Sequence, residues 1–130
     1  MTVWPAWAHA GDLQVVVTNV RNVQDNVMVG VCSVSTFLGE QCQYNGSAPS
    51  QPGQTVVTVS DVLPGTWAVQ AYLDENENET ADQNFIGIPT EGIGFSNDAP
   101  FRFGPPKWGD AAFQLGDSGG RITLRLRYFN

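Results

Sequence analysis

Positive charge is scarce in this chain. Its six Lys and Arg stand against thirteen Asp and Glu, and the formal net charge is -7 at pH 7. This balance disfavours binding to nucleic acid or to an anionic membrane surface, because their phosphates attract basic residues. Basic partners or metal cations are better matched to such a chain.

Histidine and cysteine are also few. The single histidine, His9, lies in the N-terminal segment, which leaves Ser/His/Asp catalysis without a base in the rest of the chain. No C-x-x-C pair or Cys/His cluster indicates zinc. Cys32 and Cys42 predict a disulfide in an oxidising compartment. Two free buried thiols or half of a metal site are the alternatives.

Long hydrophobic runs and charged helical faces are missing too. No apolar stretch is long enough to span a membrane. Charged residues make up only 15% of the chain, which contains fourteen Gly and eight Pro. A chain of 130 residues is the length of one domain, and many turns with little charge are typical of an all-β protein.

β-branched runs separated by turn signals cover most of the chain. The run at 66–73 is apolar on both faces, which predicts a central strand. We predict an all-β fold without helices, a single antiparallel β-sandwich of about seven strands over residues 11–130, with a long ordered loop at 74–109. The other candidate strands are at 13–20, 27–34, 55–60, 110–115 and 121–128.

Residues 1–10 differ from the predicted domain. Ala8-His9-Ala10 before Gly11 has the small-x-small shape of a signal-peptidase site, although no basic n-region precedes it. We interpret this segment as the remnant of a signal peptide or as an N-terminal arm or strand. The first interpretation predicts an exported protein that is periplasmic, at the cell surface or extracellular.

Acidic residues are concentrated between Tyr72 and Asp98. This run contains seven of the thirteen carboxylates, and no Lys or Arg occurs between Arg21 and Arg102. Closely spaced carboxylates repel one another unless water, salt or a bound cation intervenes. A hard cation such as Ca²⁺ prefers oxygen ligands in this kind of loop.

The start of the acidic run resembles part of a calcium loop. A helix-loop-helix calcium hand is excluded, because Glu79 replaces the turn glycine and Phe85 replaces the closing glutamate. A shorter loop between strands remains, with a distant carboxylate closing the site. The alternative is a surface loop of Asx-turns without metal. The candidate Ca²⁺ ligands are Asp74, Asn76, Asn78, the carbonyl of Thr80, Asp82 and Glu91.

Two other functions have weaker support. Asp74 with Glu91, or Glu91 with Asp98, could form a carboxylate pair for glycoside hydrolysis, but no nucleophile elbow accompanies them, so we predict no enzyme. Aromatic side chains could line a carbohydrate or peptide groove, although such residues more often form the core of a small sandwich. The aromatic residues considered are Trp67, Tyr72, Phe85, Phe95, Phe101, Phe103, Trp108 and Phe113.

Five segments carry a resemblance to a known family: residues 63–69 (LPGTWAV), 74–78 (DENEN), 87–97 (GIPTEGIGFSN), 104–113 (GPPKWGDAAF) and 122–128. Together they resemble the secreted bacterial family known as domain of unknown function 2141. The resemblance implies export, a sandwich of the transthyretin or prealbumin type, and no established activity. Where the family usually continues Asn-x-Asn-Gly, this chain has Glu79, which puts a tight left-handed turn in doubt.

These observations predict an exported, non-enzymatic β-sandwich module whose acidic loop binds Ca²⁺ and serves binding or assembly. One alternative is a structural protomer that adds residues 2–8 as a strand to a neighbour's sheet edge and so forms a homo-oligomer. Another is an aromatic-lined carbohydrate- or peptide-binding module. The sequence identifies no particular protein or glycan partner.

Overall fold

A computed structural model describes residues 11–21, 26–39, 41–74, 92–100 and 104–128. Residues 1–10 lie outside these ranges. The described chain is an all-β sandwich of two packed sheets, as the sequence predicts. The strands are β1 (Gly11–Val20), β2 (Asn26–Cys32), β3 (Tyr44–Pro49), β4 (Gly53–Val62), β5 (Gly65–Asp74), β6 (Ile93–Phe95), β7 (Phe113–Leu115) and β8 (Gly120–Arg125).

The first sheet has the strand order β4-β1-β8. β1 is antiparallel to β4 but parallel to β8. The predicted antiparallel pairing is found in the other strand pairs, and β1 with β8 is the exception. A parallel neighbour requires a long connection, and here most of the chain lies between the two strands. The alternating side-chain pattern of a strand is the same whether its neighbour is parallel or antiparallel. The sequence pattern therefore could not predict the direction of β8 relative to β1.

The second sheet has the order β3-β2-β5 and continues beyond β5. The far edge of β5 is shared, because β7 pairs with residues 65–67 and β6 pairs with residues 70–72. β5 is central, as its two apolar faces predict. β3 lies in a stretch where the sequence predicts no strand, and β6 lies in the predicted loop at 74–109. Both strands are short, and both contain glycine, so the periodic signal was weak.

The described ranges include two short helical turns, where the sequence predicts no helix. Ser96–Asp98 forms a 3-10 turn directly after β6, and α1 (Trp108–Ala111) is a single turn before β7. The predicted strand at 110–115 therefore shortens to β7, since Asp110 and Ala111 belong to α1. None of the helical turns in the described ranges is long and apolar enough to cross a membrane.

Alternation of side chains along the strands builds the main core. In β4, for example, Thr55, Val57 and Val59 are buried while the residues between them are exposed. Each fully buried valine or leucine stabilises the fold by about 1.5–3 kcal/mol through removal of apolar surface from water. Strands of both sheets contribute, so the core fills the space between them.

A second, smaller core covers the outer face of β5. Its buried members are Ala68, Ile93, Phe95, Ala99 and Ala111. Two partly buried rings, Phe37 and Trp108, pack over buried Phe95: the ring centroid of Phe37 lies 5.9 Å from that of Phe95 and 6.0 Å from that of Trp108, both in edge geometry. The chain thus covers both faces of its central strand.

The residues after β2 are fixed over this smaller core in two ways. Cys32 and Cys42 form a disulfide with a Cα–Cα distance of 4.6 Å, which confirms the first of the alternatives for this pair. The buried amide of Gln70 on β5 accepts a hydrogen bond from Leu38 N at 2.8 Å and donates one to Gly39 O at 2.7 Å. The turn at 33–39 is therefore held by a covalent bond and by a side-chain amide.

Candidate functional site

The acidic loop leaves and returns to the sheet at one point. Strands β5 and β6 pair antiparallel from Gln70↔Phe95 to Tyr72↔Ile93. Beyond that ladder, Leu73 N donates a hydrogen bond to Gly92 O at 2.9 Å. The loop therefore begins after β5 and ends at Gly92, with its two ends in hydrogen-bond contact.

Most candidate Ca²⁺ ligands lie outside the described residues. Asp74 is the last residue of β5, where its backbone is paired with Asn26. Within the described ranges, no three or more His, Cys, Asp or Glu side chains form a group suited to hold a metal ion. The set of candidate Ca²⁺ ligands therefore stays a prediction. The candidate ligands outside the described ranges are Asn76, Asn78, Thr80, Asp82 and Glu91.

An aromatic ring supports the base of the loop. The ring of Tyr128 lies against Gly92, where a Cβ would stand only 2.5 Å from Tyr128 Cε2. Its hydroxyl donates to Asn19 O at 2.8 Å and accepts from Arg21 N at 3.2 Å. The guanidinium of Arg21 lies 4.2 Å from the ring centroid, a distance typical of a cation–π contact. Any side chain at position 92 would therefore require the Tyr128 ring to shift.

Gly94 makes a second close approach, between β6 and the end of β8. A Cβ at this position would lie 2.6 Å from Arg125 O and 2.9 Å from Leu124 Cδ1. Next to it, Ile93 and Arg127 exchange two backbone hydrogen bonds of 3.0 and 2.8 Å. The absence of a side chain at Gly94 lets the two sheets join along this edge.

Gly94→Ala should lower the free energy of unfolding by about 1–3 kcal/mol, because the added methyl collides with a backbone carbonyl that cannot rotate away. Urea denaturation followed by circular dichroism measures the change. Gly109→Ala is the matched control, since nothing lies within 4 Å of a Cβ at that position. An equal loss in both variants would contradict the close approach at Gly94.

The hydroxyl of Ser96 fills the gap between β6 and β7 along β5. Backbone pairing with β5 stops at Gln70 on one side and at Trp67 on the other. Ser96 Oγ accepts a hydrogen bond from Val69 N at 2.9 Å and donates one to Ala111 O at 2.5 Å. Ser96 is fully buried. Its side chain thus takes the place of a missing backbone partner.

The next two residues tie the 3-10 turn to its surroundings. Asn97 and Asp98 both have positive φ, at 59° and 55°, a region that residues other than glycine rarely adopt. Asn97 Nδ2 donates to Ala112 O at 2.8 Å, and Asp98 Oδ1 accepts from Arg125 N at 3.1 Å. These contacts hold the strained backbone in place.

Asp98 is also one of the carboxylates considered for acid–base chemistry. Its second oxygen lies 3.8 Å from an Arg127 guanidinium nitrogen. One carboxylate oxygen of Asp98 thus accepts from a backbone amide, and the other faces an arginine. Asp98 therefore links the 3-10 turn to the end of β8 as a structural contact. The other proposed partner, Glu91, lies outside the described residues.

A shallow pocket of about 440 Å³ lies beside the 3-10 turn. Its polar groups serve local structure: Asn97 binds Ala112 O, and Asp110 Oδ2 accepts a hydrogen bond from Lys107 N at 3.2 Å. Residues 101–103, which connect two parts of its wall, lie outside the described ranges. The lining residues are Asn97, Ala99, Pro100, Pro105, Pro106, Lys107 and Asp110.

The aromatic residues considered for a groove are distributed over both cores. Trp67 and Phe113 pack against the main core, while Tyr72 and Trp108 pack against the smaller one around buried Phe95. Trp67 Nε1 donates to Leu63 O at 2.8 Å, which closes the turn between β4 and β5. The described rings thus serve packing rather than one shared groove. Phe85, Phe101 and Phe103 lie outside the described residues.

Sequence reasoning did not identify the polar residues that organise this region. Ser96 and Gln70 have the composition of ordinary strand or loop residues, so nothing local marks them as buried. One signal was present, namely the unusual string GIGFSND at 92–98. Its two glycines permit close approach, and its Ser, Asn and Asp each bind a different part of the chain.

The fold and this region together define a small β-sandwich domain with a long acidic loop between two paired strands. The chain belongs to the bacterial family described as "Uncharacterized protein conserved in bacteria (DUF2141)", whose model matches residues 15–123. The resemblance inferred from the sequence is thereby confirmed, whereas the transthyretin or prealbumin type of sandwich stays a prediction. No curated protein and no solved structure matches the chain.

Proposed function

We propose that the protein is an exported, non-enzymatic β-sandwich that binds Ca²⁺ through the loop between β5 and β6, for binding or assembly in the periplasm or at the cell surface. The observation that carries the proposal is the closed base of this loop, where Leu73 N binds Gly92 O at 2.9 Å. In the sequence, Asp74 directly follows Leu73 and Glu91 directly precedes Gly92, so the first and the last candidate ligands are the chain neighbours of this hydrogen bond.

The charge of the loop supports a cation. Residues 74–91 include six carboxylates and no Lys or Arg. Of the nearby basic side chains, Arg127 faces Asp98, and Arg21 lies over the Tyr128 ring. A Ca²⁺ ion would reduce the repulsion between the carboxylates and would accept the amide and carbonyl oxygens of the same loop.

The disulfide supports export. Disulfides persist in oxidising compartments such as the bacterial periplasm and are rare in the cytosol. The bond between Cys32 and Cys42 would be stable there. Membership of a bacterial family agrees with a periplasmic or surface location.

Calcium titration tests the proposal. Metal-stripped protein should give saturable heat in calorimetry, and its melting temperature should rise with calcium concentration. At 100 times the dissociation constant, binding to the folded state alone adds about 2.7 kcal/mol of stability. Absence of both heat and a melting shift at millimolar calcium would exclude the site.

Variants assign the ligands. Asp74→Asn and Glu91→Gln should each weaken calcium binding, because each removes a carboxylate from the loop base. Asp117→Asn is the matched control, since this exposed carboxylate lies in the turn between β7 and β8. A hydrolase would instead lose turnover in Glu91→Gln while its calcium affinity stayed unchanged.

A further inference from the structure

The point where the acidic loop returns to the sheet is also a junction between the two sheets. Gly92 O accepts a hydrogen bond from Leu73 N of β5 at 2.9 Å. The next residue, Ile93, exchanges two backbone hydrogen bonds with Arg127 at 3.0 and 2.8 Å. β5 belongs to the second sheet, and Arg127 lies just beyond β8 of the first. Two consecutive residues therefore attach the end of the loop to both sheets.

The last described residues of the chain are anchored to the end of β1. Leu126 N donates to Thr18 O at 3.0 Å, and Leu126 O accepts from Asn19 Nδ2 at 2.9 Å. Tyr128 adds two more bonds, because its hydroxyl donates to Asn19 O at 2.8 Å and accepts from Arg21 N at 3.2 Å. Together these bonds fix the position of the Tyr128 ring.

The Tyr128 ring contacts both the end of β1 and the end of the loop. The Arg21 guanidinium lies 4.2 Å from the ring centroid. A Cβ at position 92 would stand 2.5 Å from Cε2 and 2.8 Å from Cζ of the ring, so the Gly92 backbone is in close contact with it. The ring cannot move away from Gly92 without loss of its hydrogen bonds or its cation–π contact. The backbone at Gly92 is thus held by β5 and by Tyr128.

We propose, on the basis of the calcium site proposed above, that Tyr128 is a positioning residue of that site. Ca²⁺ binding and the attachment of residues 126–128 to β1 would then stabilise each other. Glu91 is bonded to Gly92 in the chain, so this candidate ligand starts from a backbone position that Tyr128 holds. An ion that favours this position of Gly92 also favours the bound ring, and the coupling is equal in both directions.

Calorimetric titration of the metal-stripped full chain with Ca²⁺ tests the proposal. Tyr128→Leu removes the ring and its hydrogen bonds, and it should weaken calcium affinity by about tenfold, within the roughly 5–150-fold that couples two sites. Tyr128→Phe keeps the ring against Gly92 and should retain most of the affinity. Tyr44→Leu is the matched control, since Tyr44 is also partly buried, contacts Trp67 and accepts from Leu63 N, but near the start of β5 rather than its end. It should leave calcium affinity unchanged.

Hydrogen exchange gives the reciprocal measurement. Saturating Ca²⁺ should slow exchange of the Leu126 and Arg127 amides in the wild type, and should slow it much less in Tyr128→Leu. The amide of Gly119 is the internal control, because its bond to Gly116 O lies near the start of β1. A purely structural Tyr128 would lower stability without changing the response of the two amides to calcium.

The remaining outcomes separate failure of this role from failure of the calcium site. No heat in the wild type removes the calcium site, and the role of Tyr128 with it. Equal calcium affinity in the wild type and Tyr128→Leu removes the role alone and leaves the proposed function intact. An equal loss in Tyr44→Leu overturns the role too, because binding then follows general stability. If Tyr128→Leu does not fold, wild-type exchange decides: Leu126 and Arg127 amides that do not respond to Ca²⁺ contradict the coupling.

Discussion

Ser96→Ala is expected to lower the free energy of unfolding by about 2–6 kcal/mol, since each of the two buried backbone groups it leaves unpaired costs about 1–3 kcal/mol. The amide of Val69 and the carbonyl of Ala111 are both buried, and the Ser96 hydroxyl is the bridge between them. The alanine side chain brings no replacement donor or acceptor. Urea titration of the variant measures the loss.

Two measurements separate this effect from the general cost of removing a hydroxyl. Ser118→Ala is the matched control, because Ser118 is exposed in the turn before β8. It should change stability by less than about 0.5 kcal/mol. Hydrogen exchange should also show that the Val69 amide loses protection in Ser96→Ala. A loss below about 1 kcal/mol together with a protected Val69 amide would mean that water replaces the hydroxyl.

Removal of the disulfide in the Cys32→Ala/Cys42→Ala variant is expected to cost about 3 kcal/mol, the entropy that an eleven-residue closed loop takes from the unfolded chain. The folded structure should survive, because Gln70 still binds both Leu38 N and Gly39 O. Denaturant midpoints of the variant and the oxidised wild type give the difference.

Val34→Ala serves as the control for this variant, since Val34 lies in the same turn and is 68% exposed. Adding Gln70→Leu to the cysteine variant removes the second attachment of the turn. The combined loss should exceed the sum of the separate losses, because either attachment alone keeps the turn over Phe95. Strict additivity would show that the disulfide and the amide hold the turn independently.

The hydrophobic periodicity of the sequence was sufficient to predict the long strands of the fold. The alternation in 55–60 and 66–73 placed β4 and β5, and the apolar character of both faces of β5 predicted its central position. β3 was missed because its half-buried positions hold Tyr44, Gly46 and Ala48, so the regular alternation of its burial is matched by little alternation in hydrophobicity. β6 was missed because three buried residues in a row have no period at all.

The sequence predicts which residues the candidate Ca²⁺ loop contains, but it does not predict how the strands position the two ends of that loop. The excess of carboxylates in 74–91 is a property of the sequence, and so is the alternation of Asp and Asn. The pairing of Leu73 with Gly92 depends on the register of β5 and β6, which no local pattern contains. The contacts of Ser96 and Asp98 join residues far apart in the chain, so propensity and spacing could not reveal them.

The parallel pairing of β1 with β8 determines when this domain can finish folding. The two strands meet across 107 residues of sequence, and Thr18, Asn19 and Tyr128 link their ends by side-chain hydrogen bonds. Pairing between such distant segments is slow, because the entropy of closing the chain is lost before the contacts form. During synthesis, β1 gains its second neighbour only after β8 has emerged, so the sheet with the order β4-β1-β8 stays incomplete until that point.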